Sequence, residues 1–311
     1  MVTVAVVGGT GNLGRTIVDA LKESPNHEVI VLARKESKAP EIDVPVFAVD
    51  YGDVESVSRL LETNNVHTVI SALSIRGPAE AASEISLVKA AAKAKTTNRF
   101  VASEYGTLAP TDKSIQLPQH ESRLAVIAEL QQTDLEWTRI HNGYFLDYFG
   151  MPPVESHMTP VAFTVDMANK AAAIPGTGDD VVAFTYTRDL AKFVVAALDL
   201  PVWDEAMFCW GDKMTWNEFL RVAEEMRGSK FTVAYDSVEK LQKGDMTELP
   251  SHPAVYPFFP KPMFQQYFSK FALYVTLGLF DLPEEGSLNR KNFPDIKPTT
   301  VREMLSVWVG K

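Results

Sequence analysis

The first fifteen residues, MVTVAVVGGTGNLGR, restrict the fold of this chain more than any other stretch. Val2, Val4, Val6 and Val7 make an apolar, β-branched run of the kind found in a strand buried on both faces of a parallel sheet. Four glycines follow at once, Gly8, Gly9, Gly11 and Gly14, and from Leu13 onward the apolar spacing becomes helical through Ile17, Val18 and Leu21. A strand, a tight glycine turn and a helix start together form an anion site. The free N–H groups of the first helical turn and the helix dipole both favour a phosphate there. Gly9, Gly11 and Gly14 satisfy G-x-G-x-x-G, and Gly8, Gly11 and Gly14 the related G-x-x-G-x-x-G. Glycine turns also join strands to helices for purely structural reasons. With a hydrophobic strand in front and a helix behind, the pattern instead predicts that Gly8, Thr10, Gly11, Asn12, Leu13 and Gly14 surround the pyrophosphate of a dinucleotide.

Further along, EVIVLA at 28–33 reads as a second buried strand, closed by Arg34. In the dinucleotide fold this position meets the adenosine ribose, roughly 20 residues after the glycines. An acidic residue there suits NAD, whereas a guanidinium pairs with a 2′-phosphate, so Arg34, with Lys38 nearby, points to NADP. The plainer alternative is that both are solvated loop charges. A third strand over 46–49 runs into Asp50 and Tyr51, placed to meet the adenine, while Asp53 is the expected N-cap of a helix through Val54, Val57, Leu60 and Leu61. Thr68 to Ser71 reads as a fourth strand, after which Ala72 and Leu73 either face the middle of the cofactor or simply end the strand. A helix from about Ala79 to Lys93 precedes a fifth strand, Arg99 to Ala102, leading into Ser103, Glu104, Tyr105 and Gly106. Ligands of open α/β sheets bind outside the carboxyl ends of the strands, so this segment is expected at the nicotinamide end. The alternation of strand and helix predicts an α/β fold with a Rossmann-type, doubly wound parallel sheet.

Composition narrows the function classes. A formal charge of −10 over 311 residues, with no basic run, argues against a nucleic-acid surface. Cys209 is the only cysteine, which excludes an internal disulfide and a cysteine-based metal cluster. The histidines are scattered and no H-E-x-x-H pair occurs, so no metal site is expected. The absence of G-x-S-x-G removes the simplest hydrolase reading. The longest apolar run, Phe271 to Phe280, falls well short of the ~20 residues of a membrane span, and a cytoplasmic location is expected.

Taken together, GGTGNLG at 8–14, Arg34, and RFVASEYG at 99–106 resemble the NmrA-like, isoflavone-reductase-like group of atypical short-chain dehydrogenases/reductases. LEWTRIHNGYFLDYF (135–149) resembles that family's strand and substrate-pocket loop. IPGTGDDVVAFTYTRDLAKFVVAAL (174–198) and FPDIKPTTVREML (293–305) resemble its later segments. The resemblance implies a Rossmann core over 1–150, with 174–200 returning to it. It also implies a smaller α/β substrate lobe drawn mainly from 151–311, and NADPH-dependent reduction of a small organic molecule. One position departs from the pattern. The family's reductases carry a lysine at the start of the helix after the SEYG-like loop, and here that place is Arg123. Lysine can give and recover a proton; arginine stays charged and supplies only electrostatics and hydrogen bonds. Y-x-x-x-K, the pair of ordinary short-chain dehydrogenases, is also missing. Any general acid must then be found among Tyr105, His120, His141, Tyr144 or solvent, although each of these side chains suits a packing role equally well.

In the second half, Asp189 is expected to supply the N-terminal charge or cap of a helix over 190–198, and Thr215 to precede a helix reaching Arg227. The aromatic stretch from Pro250 to Phe280 is expected either to line an apolar pocket or to form the lobe's core. The resulting expectation is an NADPH/NADP+-binding oxidoreductase, monomeric or homodimeric. It would reduce a C=C, C=N or C=O bond in a small apolar or aromatic metabolite, with no nucleic-acid or membrane partner. Two other readings stay open: a non-catalytic NADP(H) sensor, which the loss of the lysine favours, and an isomerase or cyclase reusing the pocket.

Overall fold

The computed structural model describes residues 2–35 and 42–311. The first half runs β1 (Val2–Val7), α1 (Asn12–Glu23), β2 (His27–Ala33), β3 (Val46–Ala48), α2 (Val54–Thr63), β4 (Val66–Ser71), α3 (Pro78–Lys93), β5 (Arg99–Val101), α4 (Gln119–Leu130) and β6 (Glu136–His141). The second half adds β7 (Tyr144–Phe145), α5 (Asp147–Gly150), β8 (Val165–Asp166), β9 (Ala171–Pro175), β10 (Val181–Thr185), α6 (Thr187–Ala197), β11 (Ala206–Phe208) and β12 (Asp212–Thr215). It ends with α7 (Trp216–Arg227), β13 (Thr232–Asp236), α8 (Val238–Gln242), α9 (Lys261–Thr276) and α10 (Val301–Leu305).

Seven strands form one parallel sheet in the order β11-β6-β5-β4-β1-β2-β3, with helices on both faces. The run of buried apolar residues from Val4 to Val7 in β1 follows from this layering, because successive side chains of a strand point to opposite faces. Ala5 and Val7 pack with α2, α3 and α4 through Val57, Leu61, Leu87, Val88 and Ile127. Val4 and Val6 pack on the other face, with Leu13, Ile17 and Leu21 of α1 and Leu190, Phe193 and Val194 of α6. Arg99 fastens the far side of the sheet. Its Nε donates to Glu136 at 2.6 Å, its two terminal nitrogens donate to the carbonyls of Leu198 and Leu200, and the guanidinium lies over the Trp203 ring at 4.7 Å.

The chain leaves the large sheet after β6 for β7 to β10, returns for β11 at the sheet's edge, and then adds β12 and β13, which complete two three-stranded sheets, β12-β10-β7 and β13-β9-β8. A second, strongly aromatic core joins these small sheets to α7, α9 and α10 through Phe149, Phe163, Phe184, Trp216, Phe219 and Phe280. Of the 174–200 segment, α6 packs against the Rossmann half, whereas β10 sits between β12 and β7.

Local signals in the sequence have the physical form expected of them in two places. Asp53 accepts from the Ser56 amide at 3.0 Å as the cap of α2. Thr215 and Glu218 make a reciprocal capping box ahead of α7, which Gly228 ends in a left-handed conformation, φ 59°. Asp189 differs from the capping half of its expectation. It lies in the first turn of α6, but its buried carboxylate accepts from the Thr299 amide at 2.7 Å and from Lys192 at 2.8 Å, so it ties the C-terminal segment to the helix. The fourth strand also begins earlier than expected, at Val66, because Val66 is buried and starts the pairing with β1.

Candidate active site and cofactor cleft

The glycine loop is shaped by contacts that exclude side chains. Gly8 has φ 79°, and a Cβ on it would lie 2.9 Å from the Ala72 carbonyl oxygen. A Cβ on Gly14 would lie 2.3 Å from the Gly8 carbonyl oxygen, so α1 starts pressed against the loop that precedes it. Gly11 is different: a Cβ there meets nothing within 4 Å among the described residues, and the residue is exposed. It is the N-cap of α1 and has no side-chain cap, so the first N–H groups of the helix are left for an external acceptor. Thr10 and Asn12 are exposed beside it. Leu13 is corrected in one respect. Its side chain is buried in the core with Ile17 and Val31, so only its backbone N–H can face a ligand.

A cleft of about 480 Å³ opens at the ends of β2 and β3, lined by Arg34, Ala48, Val49, Asp50, Tyr51, Gly52 and Ser83. Arg34 is exposed there. Asp50 and Tyr51 are partly committed to the fold. Asp50 Oδ1 accepts from the Gly52 amide at 2.9 Å, closing a tight turn, and the Tyr51 hydroxyl donates to the Leu32 carbonyl at 3.1 Å. Burial pushes the Tyr51 phenol up to about 12 despite the nearby Arg34. Lys38, and with it Ser37, lies outside the described residues. The cradle, the uncapped helix start and the cation-bearing cleft fit a dinucleotide with a 2′-phosphate.

Between the two ends, Ala72 packs against the glycine loop, and the Leu73 carbonyl accepts from Ser103 Oγ at 2.6 Å. The Ser103 amide donates to Glu84 Oε1 at 2.8 Å. Glu84 reaches this point from α3, and complete burial lifts its carboxyl to about 7, against the pull of the Ser103 amide and of Arg123. Glu104, also buried, is paired with Arg139 at 3.3 Å. Ser103 and Glu104 are therefore bonded to the protein itself, and what they offer a cofactor is the shape of the loop.

A second cleft of about 330 Å³ has Glu104 in its wall. Of the five candidates, Tyr105, His120, Arg123 and Tyr144 line it and His141 does not. Its walls are aromatic, with Phe145, Tyr148 and Phe163 from one side and Tyr267, Phe268, Phe271 and Tyr274 from α9. Position and chemistry separate the candidates. Tyr144 is a wall residue set into the aromatic core, its ring stacked 4.2 Å from Phe280, and burial drives its phenol well above the ordinary range. Tyr105 is likewise raised by burial and by the Glu84 carboxyl, and its hydroxyl is buried without a hydrogen-bond partner among the described residues. Burial lowers His120, more than Glu104 raises it, which keeps the imidazole neutral at pH 7. Arg123 has its Nε buried without a partner. His141 does not reach the cleft; it is stacked on Phe208 at 5.5 Å, and burial lowers it to about 4.

A family model described as the NmrA-like family matches residues 2–305. The chain belongs to the NmrA-like family. Oxidoreductase BOA1 of Botryotinia fuckeliana is 38% identical over 258 residues, 82% of this chain and 84% of that protein. Oxidoreductase swnN of Metarhizium robertsii is 35% identical over 338 residues, 100% of this chain and 98% of that one. Among solved structures, the ternary complex of leucoanthocyanidin reductase from Vitis vinifera superposes with a TM-score of 0.76 at 18% identity, covering 99% and 100% of the two chains. AtPrR2 with NADP+ and (+)-pinoresinol gives 0.75 at 22%, covering 99% of each. These structures share the NmrA-like chain's fold. By family, and by relatives so named, it stands among the oxidoreductases.

Three site residues of this NmrA-like chain escape the sequence reading. Ser83 lines the adenosine-side cleft from α3, Glu84 holds the Ser103 loop, and Arg139 neutralises Glu104. Glu84 left a trace. It falls on the stripe of α3 that also carries Ala81, Leu87, Val88 and Ala91, where a buried face has no other use for a carboxylate. No helix of the described residues is long and apolar enough to cross a membrane.

Proposed function

We propose that this chain is an NADPH-dependent reductase acting on a C=C, C=N or C=O bond of a small, largely apolar metabolite. The observation that carries the reading is a set of features gathered at the carboxyl ends of the sheet strands: a backbone cradle, an arginine-bearing cleft, and, beyond the Ser103–Glu104 loop, an aromatic cleft that holds Arg123, His120 and Tyr105. When bound, NADPH supplies a hydride. Gly8, Thr10, Gly11, Asn12, Leu13 and Gly14 hold the pyrophosphate through backbone N–H groups, and Arg34 holds the 2′-phosphate. Asp50, Tyr51, Ala72, Leu73, Ser103 and Glu104 shape the groove between. Aromatic walls exclude water and orient a flat substrate. The Arg123 guanidinium faces the negative charge that develops as the bond is reduced, and the His120 N–H and the Tyr105 hydroxyl are the exchangeable protons beside it. In this division, residues 1–150, joined by 174–200, carry the cofactor, and 151–311 mainly complete the substrate side.

A second reading, an NADP(H) sensor without turnover, is favoured by one observation: a residue that cannot cycle a proton, Arg123, stands where the family's reductases have lysine. Titration with NADPH, NADP+, NADH and NAD+ decides, repeated on Arg34→Ala. A 2′-phosphate pair contributes about 1–3 kcal/mol, so NADPH should bind at least ~10-fold better than NADH and lose that margin in the variant. Equal affinity for the oxidised and reduced forms moves the reading to the sensor, and no binding of any nucleotide overturns both.

A further inference from the structure

Resting on the reading of the 330 Å³ cleft as the substrate site, we propose that the substrate carries a carboxylate and that Arg123 receives it. The argument begins with the charges on the cleft wall. Among the described residues that line it, only Glu104 and Arg123 are of acidic or basic type apart from His120, and Glu104 is already paired with Arg139 at 3.3 Å. Arg123 is not: its Nε is buried and unpartnered, and it forms no ion pair among the described residues. A lysine in such a place can shed its charge by losing a proton, whereas a guanidinium cannot, so the charge persists in a cleft walled by Tyr144, Phe145, Phe163, Phe268 and Phe271. Arg123 does act on the Glu84 carboxyl, lowering it, but Glu84 is fully buried, accepts from the Ser103 amide through Oε1, and is held at about 7, so it is only part-ionised at neutral pH. Among the described residues Arg123 thus has no full counter-ion, and the ligand supplies it.

The neighbours of Arg123 fit a carboxylate in particular. His120 stands one turn earlier on α4, lines the same cleft and is held neutral by burial, so one ring nitrogen remains a donor. Tyr105 lines the same cleft, and its hydroxyl is buried with no hydrogen-bond partner among the described residues. A planar guanidinium with two further neutral donors matches the two oxygens of a monoanionic carboxylate, whereas a phosphate dianion would leave one charge unmet. The aromatic walls then take the rest of the molecule, an unsaturated ring or ring-bearing chain.

The test uses wild type, Arg123→Met and Arg123→Lys, each first titrated with NADPH and then saturated with NADP+. Calorimetry follows with three matched pairs: benzoate and benzamide, cinnamate and cinnamamide, 1-naphthoate and 1-naphthamide. In wild type at least one carboxylate is expected to bind roughly tenfold or more tighter than its amide. That preference should vanish in Arg123→Met and survive in part in Arg123→Lys, with NADPH affinity held within about twofold throughout. Carboxylate and amide behaving alike in all three pairs, including both failing to bind, overturns the proposal, as does a preference that persists in Arg123→Met. A large loss of nucleotide affinity in Arg123→Met would assign the guanidinium to a cofactor anion and overturn it too. Failure of wild type to bind NADPH at all overturns the reductase reading instead, and is seen before any acid is added.

Discussion

The two clefts that share the carboxyl edge of the sheet are built on opposite plans. The cofactor side is made of backbone: a contiguous loop from Gly8 to Gly14 whose shape depends on where side chains are missing. The substrate side is made of side chains delivered by separate segments, Tyr105 after β5, His120 and Arg123 from α4, Tyr144 and Phe145 from β7, Phe163 from a loop, and Phe268 and Phe271 from α9. The backbone loop tolerates little change in its residues and addresses only the pyrophosphate common to NADH and NADPH, which in the reading proposed above leaves the choice between them to one side chain, Arg34. A side-chain site can be rewritten one residue at a time while the fold stands. Specificity therefore belongs to the second plan and cofactor chemistry to the first.

Substitutions that set the two plans against each other should differ in kind. The largest effect is expected from Gly14→Ala, whose methyl would enter the space of the Gly8 carbonyl at 2.3 Å. Thermal unfolding should show a loss on the order of 3 kcal/mol, the upper end for overpacking, together with loss of NADPH binding. A normally stable, NADPH-binding variant would show that the loop is looser than its geometry. Next comes Arg123→Ala, which should lower kcat/KM by on the order of 10²-fold while leaving NADPH affinity nearly unchanged. Equal losses in both would remove Arg123 from the substrate side. Gly11→Ala should be the reverse of Gly14→Ala. With nothing within 4 Å of the new methyl, unfolding should stay within about 0.5 kcal/mol of wild type, yet NADPH should bind roughly tenfold more weakly because the backbone can no longer approach the pyrophosphate. A variant indistinguishable in both measurements would mean that this edge of the loop faces no ligand.

The smallest effect concerns Glu84. Its carboxyl titrates at about 7 in the folded protein against 4.5 for the free group. The folded state therefore keeps a proton that the unfolded chain releases. This favourable contribution is complete below the unfolded value and is lost as pH rises through the folded one. Glu84→Gln keeps an acceptor for the Ser103 amide but has no proton to lose. Its melting temperature relative to wild type should therefore be higher at about pH 8 than at about pH 5. A pH-independent difference would show that the Glu84 carboxyl does not titrate in this range.

How much of this was legible in the sequence follows the same division. The start of the doubly wound sheet could be read because β1 and β2 are largely apolar and their turns are punctuated locally, by Gly8 to Gly14 and by Arg34, with Asp53 marking the next helix, whereas β6, EWTRIH, has no such run. The cofactor residues cluster for the same reason. Family spacing points to Arg123, and nearness to the expected site to Tyr105, His120, His141 and Tyr144, but the different surroundings of these side chains are not written locally. Whether Tyr144 is a wall residue or an acid depends on Phe280, far along the chain, and the neutrality of Glu104 depends on Arg139. Glu84 and Asp189 show the limit best. Both look like ordinary helix carboxylates, and both spend their oxygens on amides, of Ser103 and Thr299, that no local pattern links to them.

The late return of the chain to its large sheet has a consequence in time. β6 is laid down beside β5 well before β11, its partner on the other side, has been synthesised. At ~5–20 residues per second, the roughly 65 residues between them leave that edge open for about 3–13 s on the ribosome. An open strand edge invites pairing with other chains, and charged residues along it discourage this. Glu136 and Arg139, both on β6, have their ion-pair partners Arg99 and Glu104 earlier in the chain, so these charges can be set beside the open edge as soon as β6 joins β5, before β11 exists.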